Sequence, residues 1–284
     1  MKILHIWSTS SHGTILSKEM NKYAEVSSKA IAKKFIGDYI TEDLIPVPNS
    51  KIGVLYSFYR AREFDIINIH TIDRILPWFK RAYPNKRVVL TYHGSEIRSN
   101  NYDGASAFDL HNNKQNQWHL REKYWKHADA IIVSTADLMR GAPSMAQYIP
   151  APIDREMWKR KEPYTKNTAI YSQYTYWAHG QADKIVYRWA TRTGVDLTVI
   201  PTAQKLIPYA EYPRFLERFE YYLDVKQDLN GEVLESMSST GLQFLSLGGK
   251  VYHNGKIYKK FPKEADSKNV AKKIYKIYEE VLNG

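Results

Sequence analysis

Several short segments of the chain are uninterrupted runs of β-branched and other apolar residues. In the first half these runs cover Ile66 to Ile69, Val88 to Thr91 and Ala130 to Ser134. A strand that faces solvent on one side alternates apolar with polar residues, whereas a continuous run is typical of a parallel strand covered on both faces. The chain is therefore predicted to form a parallel sheet with helices on both sides.

Helical patterns separate these strands. An earlier strand, Ile3 to Trp7, leads through the polar loop Ser8 to Thr14 into a predicted helix from Lys18 to Phe35, which Gly37 would end. The other helices of the first half are predicted at Gly53 to Arg62, Arg74 to Ala82 and Trp118 to Lys126. This alternation predicts a doubly wound α/β domain.

The pattern breaks at two prolines and then restarts. Pro150 and Pro152 lack amide donors, so we place a linker at residues 151–158 between domains at 1–150 and 159–284. The second domain has predicted strands near Thr168 to Tyr171, Asp196 to Ile200, Phe219 to Val225 and Lys250 to Tyr252. Its predicted helices lie near Ala182 to Arg192, Pro213 to Arg218, Thr240 to Leu247 and Ser267 to Val281. The sequence thus predicts an α/β protein of two Rossmann-like, doubly wound domains that face a cleft.

The amino-acid composition limits the types of chemistry and of binding partner that are expected. The 284 residues include no cysteine, which excludes disulfides, thiolate metal sites and a cysteine nucleophile. No apolar run reaches the roughly 20 residues of a membrane-spanning helix and no signal-peptide pattern occurs, so we expect a cytoplasmic protein. The net charge of +11 favours a polyanionic partner such as nucleic acid, a phosphate-bearing ligand or an acidic membrane. A basic surface without a specific partner is the alternative.

The clearest candidate functional residue is His93. It follows the strand Val88 to Thr91 and precedes Gly94, which lets the backbone turn close to a ligand at the carboxyl edge of the sheet. The alternative is a core histidine bonded to a neighbouring carbonyl. His70 also ends a strand, and there we favour the structural interpretation. The loop Ser8 to Thr14 contains only Gly13 and is a weak candidate for a phosphate site.

A second candidate site lies between Glu235 and Gly248. Ser239 or Thr240 is predicted to cap a helix, whose free amides and positive end could hold a diphosphate, while Gln243 could reach a ribose hydroxyl. An ordinary capped helix is the alternative. The sequence contains no Asp-x-Asp, GxxxxGK[ST], HExxH or GxSxG motif, which leaves metal-independent group transfer open.

The order of these segments resembles a known family. The segments in question are DIINIH from Asp65 to His70, VVLTYHG from Val88 to Gly94, ADAIIVSTADL from Ala128 to Leu138 and QYIPAPID from Gln147 to Asp154. They are similar to successive landmarks of the retaining, nucleotide-sugar-dependent glycosyltransferases of family 4, which have the GT-B fold. The resemblance covers most of the chain.

The resemblance implies roles for particular residues. His93 falls on the histidine beside the transferred sugar, and Gly13 falls on the small-residue loop under the donor diphosphate. Glu235 matches the first acid of an acid, seven-residue, acid pattern and would contact sugar hydroxyls. Ser239 and Thr240 would hold the diphosphate.

Two departures from the family pattern affect the donor site. The second acid of the pattern is replaced by Gln243, a neutral and weaker partner for ribose. The phosphate-binding cations expected after the first strand of the second domain are absent from Tyr171 to Gly180, where His179 is the one candidate. Lys226 would supply the missing charge from a later strand end.

The sequence therefore predicts a retaining, metal-independent glycosyltransferase that uses a nucleoside-diphosphate sugar as co-substrate and no other cofactor. Its acceptor hydroxyl could belong to a modified DNA base, a lipid or a saccharide, and the protein could be peripheral on a membrane or on DNA. No protein partner is implied. The alternative is a non-catalytic protein of the same fold that binds a nucleotide sugar or nucleic acid.

Overall fold

The computed structural model describes residues 1–7, 11–23, 26–33, 41–47, 50–94, 97, 118–173, 182–201, 207–225 and 235–284. The chain forms two compact units. The first unit contains the described residues of 1–97, 118–152 and 264–284, and the second contains those of 153–263. No helix within these ranges is long and apolar enough to cross a membrane.

The first unit is built on a seven-stranded sheet in which every pair of neighbouring strands is parallel. Its strands are β1 (Lys2–Ile6), β2 (Ser27–Lys33), β3 (Leu44–Val47), β4 (Ile66–His70), β5 (Arg87–Tyr92), β6 (Ala130–Val133) and β7 (Ala146–Tyr148). They lie in the order β3-β2-β1-β4-β5-β6-β7. The order reverses direction at β1, so the carboxyl ends of β1 and β4 form the topological switch point at which ligands of such sheets bind.

Helices cover both faces of this sheet. Those in the first part of the chain are α1 (His12–Tyr23), α2 (Ser50–Ala61), α3 (Leu76–Ala82) and α4 (Trp118–Trp125). Leu4 and Ile6 of β1 pack with Phe79 and Trp118 on one face, whereas Ile3 packs with Leu16 of α1 on the other. Successive strand residues are thus buried on opposite sides, which explains the continuous apolar runs.

One predicted helix was too long. The pattern predicted a helix from Lys18 to Phe35, but α1 ends at Tyr23 and residues 27–33 form β2. Ala30 and Ile31 are fully buried in β2, which pairs in parallel with β1. A short buried strand places apolar residues at consecutive positions, and those positions also satisfy helical spacing. The short strands β3 and β7 were not predicted.

The second unit contains a five-stranded sheet in the order β12-β11-β10-β8-β9. Its strands are β8 (Thr168–Gln173), β9 (Asp196–Pro201), β10 (Tyr221–Leu223), β11 (Lys250–His253) and β12 (Lys256–Tyr258). All neighbours are parallel except β12, which pairs antiparallel with β11. The described helices of this unit are α5 (Ala182–Thr193), α6 (Tyr212–Leu216) and α7 (Ser239–Ser246). The four predicted strands are confirmed, with the third shortened, and β12 was not predicted.

The last helix, α8 (Ser267–Asn283), does not follow the predicted division of the chain. The prediction assigned it to a second domain at 159–284, whereas residues 264–284 belong to the first unit. Its apolar stripe, which includes Val270 and Ile274, packs with Ile3 and Leu16. Asn68 Nδ2 of β4 also donates to the hydroxyl of Tyr278 at 2.6 Å. The stripe correctly predicted a buried helix face, but periodicity carries no information on which sheet the face covers.

Candidate functional site

Four histidines meet at the carboxyl edge of the first sheet. His5 lies in β1, His70 is the last residue of β4, His93 directly follows β5, and His12 is the first residue of α1. The atoms His5 Nδ1 and His70 Nε2 are 3.0 Å apart, and His70 Nδ1 and His93 Nε2 are also 3.0 Å apart. The atoms His93 Nδ1 and His12 Nδ1 are 2.9 Å apart. We refer to these four residues as the histidine chain.

The topology of the sheet brings the four rings together. Strands β1, β4 and β5 are neighbours, so residues at their carboxyl ends lie side by side although up to 88 positions separate them in the sequence. The backbone turns sharply at each of these ends, with positive φ at Trp7 (68°), Thr71 (64°) and Gly94 (136°). For a β-branched residue such as Thr71 this conformation is strained, and strained backbone concentrates at functional sites.

The histidine chain is neutral at pH 7. Burial lowers the pKa of His5 to about 3 and that of His93 to about 4. The pKa values of His12 and His70 are also well below the usual range, first because of burial and then because neighbouring imidazoles repel an added charge. His93 is the partly exposed member, whereas the other three rings are buried.

The structure places the predicted residues of the first half in this cluster. His93 lies at the strand end as predicted, and His70, for which we favoured a structural role, is its direct neighbour. Gly13 lies in the first turn of α1, next to His12. His5 and His12 were not predicted as site residues. A usable signal existed, since the dipeptide His-Gly occurs after a strand at 12–13 as well as at 93–94.

A second polar cluster lies at the carboxyl edge of the other sheet, beside Glu235. His253, the last residue of β11, has Nδ1 3.0 Å from the carbonyl oxygen of Asp224 and 3.4 Å from Asp224 Oδ2. Its Nε2 is 3.0 Å from the carbonyl oxygen of Glu235. Carbonyl oxygens only accept, so a ring nitrogen that bonds to one of them does so as an N–H donor. His253 and Asp224, which the sequence analysis did not select, therefore fix the backbone of the predicted sugar-binding acid, whose own side chain is exposed.

The predicted helix after Glu235 is present with a different cap. Ser238 caps α7, because its Oγ accepts from the amide of Gly241 at 2.9 Å, whereas Ser239 and Thr240 are the first two residues of the helix. The backbone amide of Ser238 donates to Asp224 Oδ2 at 2.7 Å, which connects the cap to the His253 cluster. The predicted end of this helix is confirmed, since Gly248 has a φ of 75° just after its last turn.

Gln243 is placed in the interior of the second unit. Its side chain is buried, and its Nε2 donates to the hydroxyl of Tyr209 at 3.0 Å. Trp158 Nε1 donates to the same hydroxyl at 3.3 Å. Lys226 and the segment 174–180, where phosphate-binding cations were expected, lie outside the described residues.

The histidines do not converge on a common point. Their nitrogens face one another in pairs, and within the described ranges no group of three or more histidine, aspartate or glutamate side chains is arranged to hold a metal ion. The arrangement is suited to moving or fixing protons along a line of rings.

No family model and no curated protein matches the sequence, but solved structures match the fold. Sucrose-phosphate synthase from Thermosynechococcus elongatus matches with a TM-score of 0.53 and 10% identity, over 99% of this chain and 90% of that one. AviGT4, a glycosyltransferase involved in avilamycin A biosynthesis, also gives 0.53 and 10%, over 100% and 98%. MnaA of S. aureus, solved with UDP, gives 0.50 and 10%, over 99% and 89%. The chain therefore has the GT-B fold of two Rossmann-like α/β domains.

Proposed function

We propose that this protein is a glycosyltransferase that moves a sugar from a nucleoside-diphosphate sugar to an acceptor hydroxyl. The observation that carries the proposal is the histidine chain at the switch point of a GT-B fold, where α/β sheets bind their ligands. The fold extends over nearly the whole of a known glycosyltransferase, AviGT4, and of a protein solved with UDP. Both comparisons support a nucleotide-sugar ligand.

We assign the acceptor to the first unit and the donor mainly to the second. His93 would face the transferred sugar or the acceptor, since it is the partly exposed member of the histidine chain. Glu235 would bind sugar hydroxyls, while Gly13, Lys226, Ser239 and Thr240 would hold the diphosphate. For Gln243 we propose an indirect role, in which it supports the donor site by holding the hydroxyl of Tyr209.

The proposed reaction is retaining and needs neither a metal nor a further cofactor. The bond between the sugar and the diphosphate breaks with its electron pair on the diphosphate, and the acceptor oxygen bonds to the same face of the sugar. The leaving diphosphate takes the acceptor's proton, while fixed amides stabilise its charge. A hexose or a pentose would fit this scheme equally.

The net charge of the protein indicates which classes of acceptor are suitable, but it does not identify one acceptor. A net charge of +11 suits a modified base in DNA or a lipid in an anionic membrane, and a soluble saccharide is the third choice. Binding to duplex DNA that weakens with salt, without binding to anionic vesicles, would select the first. The reverse result would select the lipid.

One observation favours a second candidate, a non-catalytic protein that binds a nucleotide sugar or nucleic acid. The position of the second family acid is a neutral glutamine, and its amide is engaged inside the unit by Tyr209. Binding of a donor without its hydrolysis or transfer, in the presence of any of the three acceptor classes, would establish this candidate.

The deciding experiment is a calorimetric and thermal-shift screen of the full chain against UDP, GDP, ADP and dTDP sugars. Glu235→Ala should weaken donor binding and abolish transfer while leaving the melting temperature unchanged. Glu162→Ala, which changes another exposed glutamate of the second unit, is the matched control and should bind like the wild type. Absence of binding to every donor at millimolar concentration would refute the proposal.

A further inference from the structure

The histidine chain permits only two arrangements of its protons. Four neutral imidazoles carry four N–H groups, and each of the three contacts between rings needs one of them. The fourth hydrogen must then lie at one end of the chain, on His5 Nε2 or on His12 Nε2. Placing it at either end fixes the direction of all three hydrogen bonds, so the tautomers of the four rings are not independent.

The buried end of the chain selects between the two arrangements. His5 Nε2 is buried and has no hydrogen-bond partner among the described residues. A hydrogen on this atom would be a buried donor without an acceptor, and such donors are rarer in folded proteins than acceptors that lack a donor. We therefore expect His5 Nε2 to carry no hydrogen.

The direction of every bond then follows. His5 Nδ1–H donates to His70 Nε2, and His70 Nδ1–H donates to His93 Nε2. His93 Nδ1–H donates to His12 Nδ1. The remaining hydrogen lies on His12 Nε2, which points away from the chain as a hydrogen-bond donor.

The position of His12 is consistent with a neutral donor. It is the first residue of α1, and the positive end of a helix disfavours an added positive charge on the ring. The same end favours a negatively charged ligand. The Nε2–H group of a neutral His12 can donate to a negatively charged oxygen atom. The ring does not need to be protonated to an imidazolium for this.

We propose that His5, His70 and His93 hold His12 in its Nε2–H tautomer, which makes His12 a ligand-binding residue that donates to an anionic oxygen at the carboxyl edge of the first sheet. His5 and His70 are positioning residues, because they act on the ligand only through the rings that follow them. Identifying the anionic oxygen as a phosphate oxygen of the nucleotide sugar rests on the proposed function. The predicted order of the tautomers does not depend on the proposed function.

The test is nitrogen-15 NMR of the full chain labelled at histidine, at pH 7.5. Three rings, His5, His70 and His93, should show Nδ1–H, and His12 should show Nε2–H. The exposed His119 and His127 serve as internal references. The opposite order, or independent tautomer mixtures at the four rings, would overturn the proposal.

A pair of variants separates positioning from a merely structural role. His70→Asn interrupts the chain, so His93 and His12 should lose their single tautomers. His119→Asn, which changes an exposed histidine outside the histidine chain, is the matched control, and all four rings should keep their order in it. An unchanged His12 signal in His70→Asn would contradict the proposal. If that variant fails to fold, the wild-type spectrum still decides the order.

Titration with UDP tests the ligand. We expect the His12 Nε2–H proton to shift as UDP saturates the protein, and UDP binding to be weaker in His12→Phe than in the wild type. If UDP binds and this signal does not move, His12 does not donate to the ligand. If neither UDP nor any nucleotide sugar binds, the proposed function fails, whereas the tautomer order of the wild-type protein remains a separate result.

Discussion

The histidine chain should make the protein sensitive to mild acid. The pKa is about 3 for His5 and about 4 for His93, while an unfolded histidine titrates near about 6.5. Above that pH neither state binds protons at these rings. As the pH falls, the unfolded chain takes up protons that the folded protein does not bind, so the free energy of unfolding decreases. The loss continues until the pH approaches the folded pKa values.

The size of the effect follows from the number of rings. Each histidine that stays neutral in the folded state lowers the free energy of unfolding by about 1.4 kcal/mol between pH 7.5 and 5.5. The four rings together give a loss of about 5.5 kcal/mol, which is comparable with the entire stability of many proteins, about 5–15 kcal/mol. Tyr278, whose ring lies beside His5, stays neutral in this range because burial raises its pKa.

Urea titrations at pH 7.5, 6.5 and 5.5 would measure this loss. His70→Asn removes one of the four rings and should reduce the loss between pH 7.5 and 5.5 by about 1.4 kcal/mol. His119→Asn changes an exposed histidine and should leave the dependence unchanged. A free energy of unfolding that varies by less than about 1 kcal/mol across this range would show that the four rings are not held neutral in the folded protein.

Three further results are expected. Gly249→Ala should lower the free energy of unfolding by about 1–3 kcal/mol in urea titrations, because the added Cβ would overlap the ring of Phe244; unchanged stability would contradict this contact. Tyr278→Phe should cost about 1–2 kcal/mol, also measured in urea, because the buried amide of Asn68 loses the hydroxyl to which it donates; a neutral effect would argue against docking of α8 on the first sheet. Donor-dependent activity should be unchanged by EDTA, and its loss with recovery on addition of Mg²⁺ would exclude the metal-independent mechanism that we propose.

The class of fold could be predicted from the sequence because the first sheet consists mainly of buried parallel strands. Residues such as Ile67 and Val89 lie in runs that no solvent-facing strand would contain, and the structure buries both. Helix boundaries and the assignment of α8 could not be predicted in the same way. An apolar stripe indicates that one face of a helix is buried against another element of the structure. Which element this is depends on contacts between distant parts of the chain.

At the second candidate site, too, features set by neighbouring residues could be predicted, whereas contacts between distant residues could not. The helix after Glu235 and its end at Gly248 follow from local residue types, and both were predicted. The role of Asp224 could not be read locally. Its carboxylate accepts from the amide of Ser238, 14 positions later, and its backbone contacts His253, a further 15 positions on. Only the pairing of β10 with β11 brings these groups together.

The histidine chain could not be predicted without the order of the strands in the first sheet. His12, His70 and His93 each follow or end a strand, and the sequence analysis recognised two of these positions. Whether such residues meet depends on the order of strands in the sheet. The interpretation of residues 27–33 as helix removed β2, and without β2 the sheet order has no reversal at β1. With β2 in place, the switch point lies at the ends of β1 and β4, and β5 is the next strand. Strand order combined with residue type is therefore sufficient to bring these three histidines together, while His5 adds the buried end that fixes the direction of the chain.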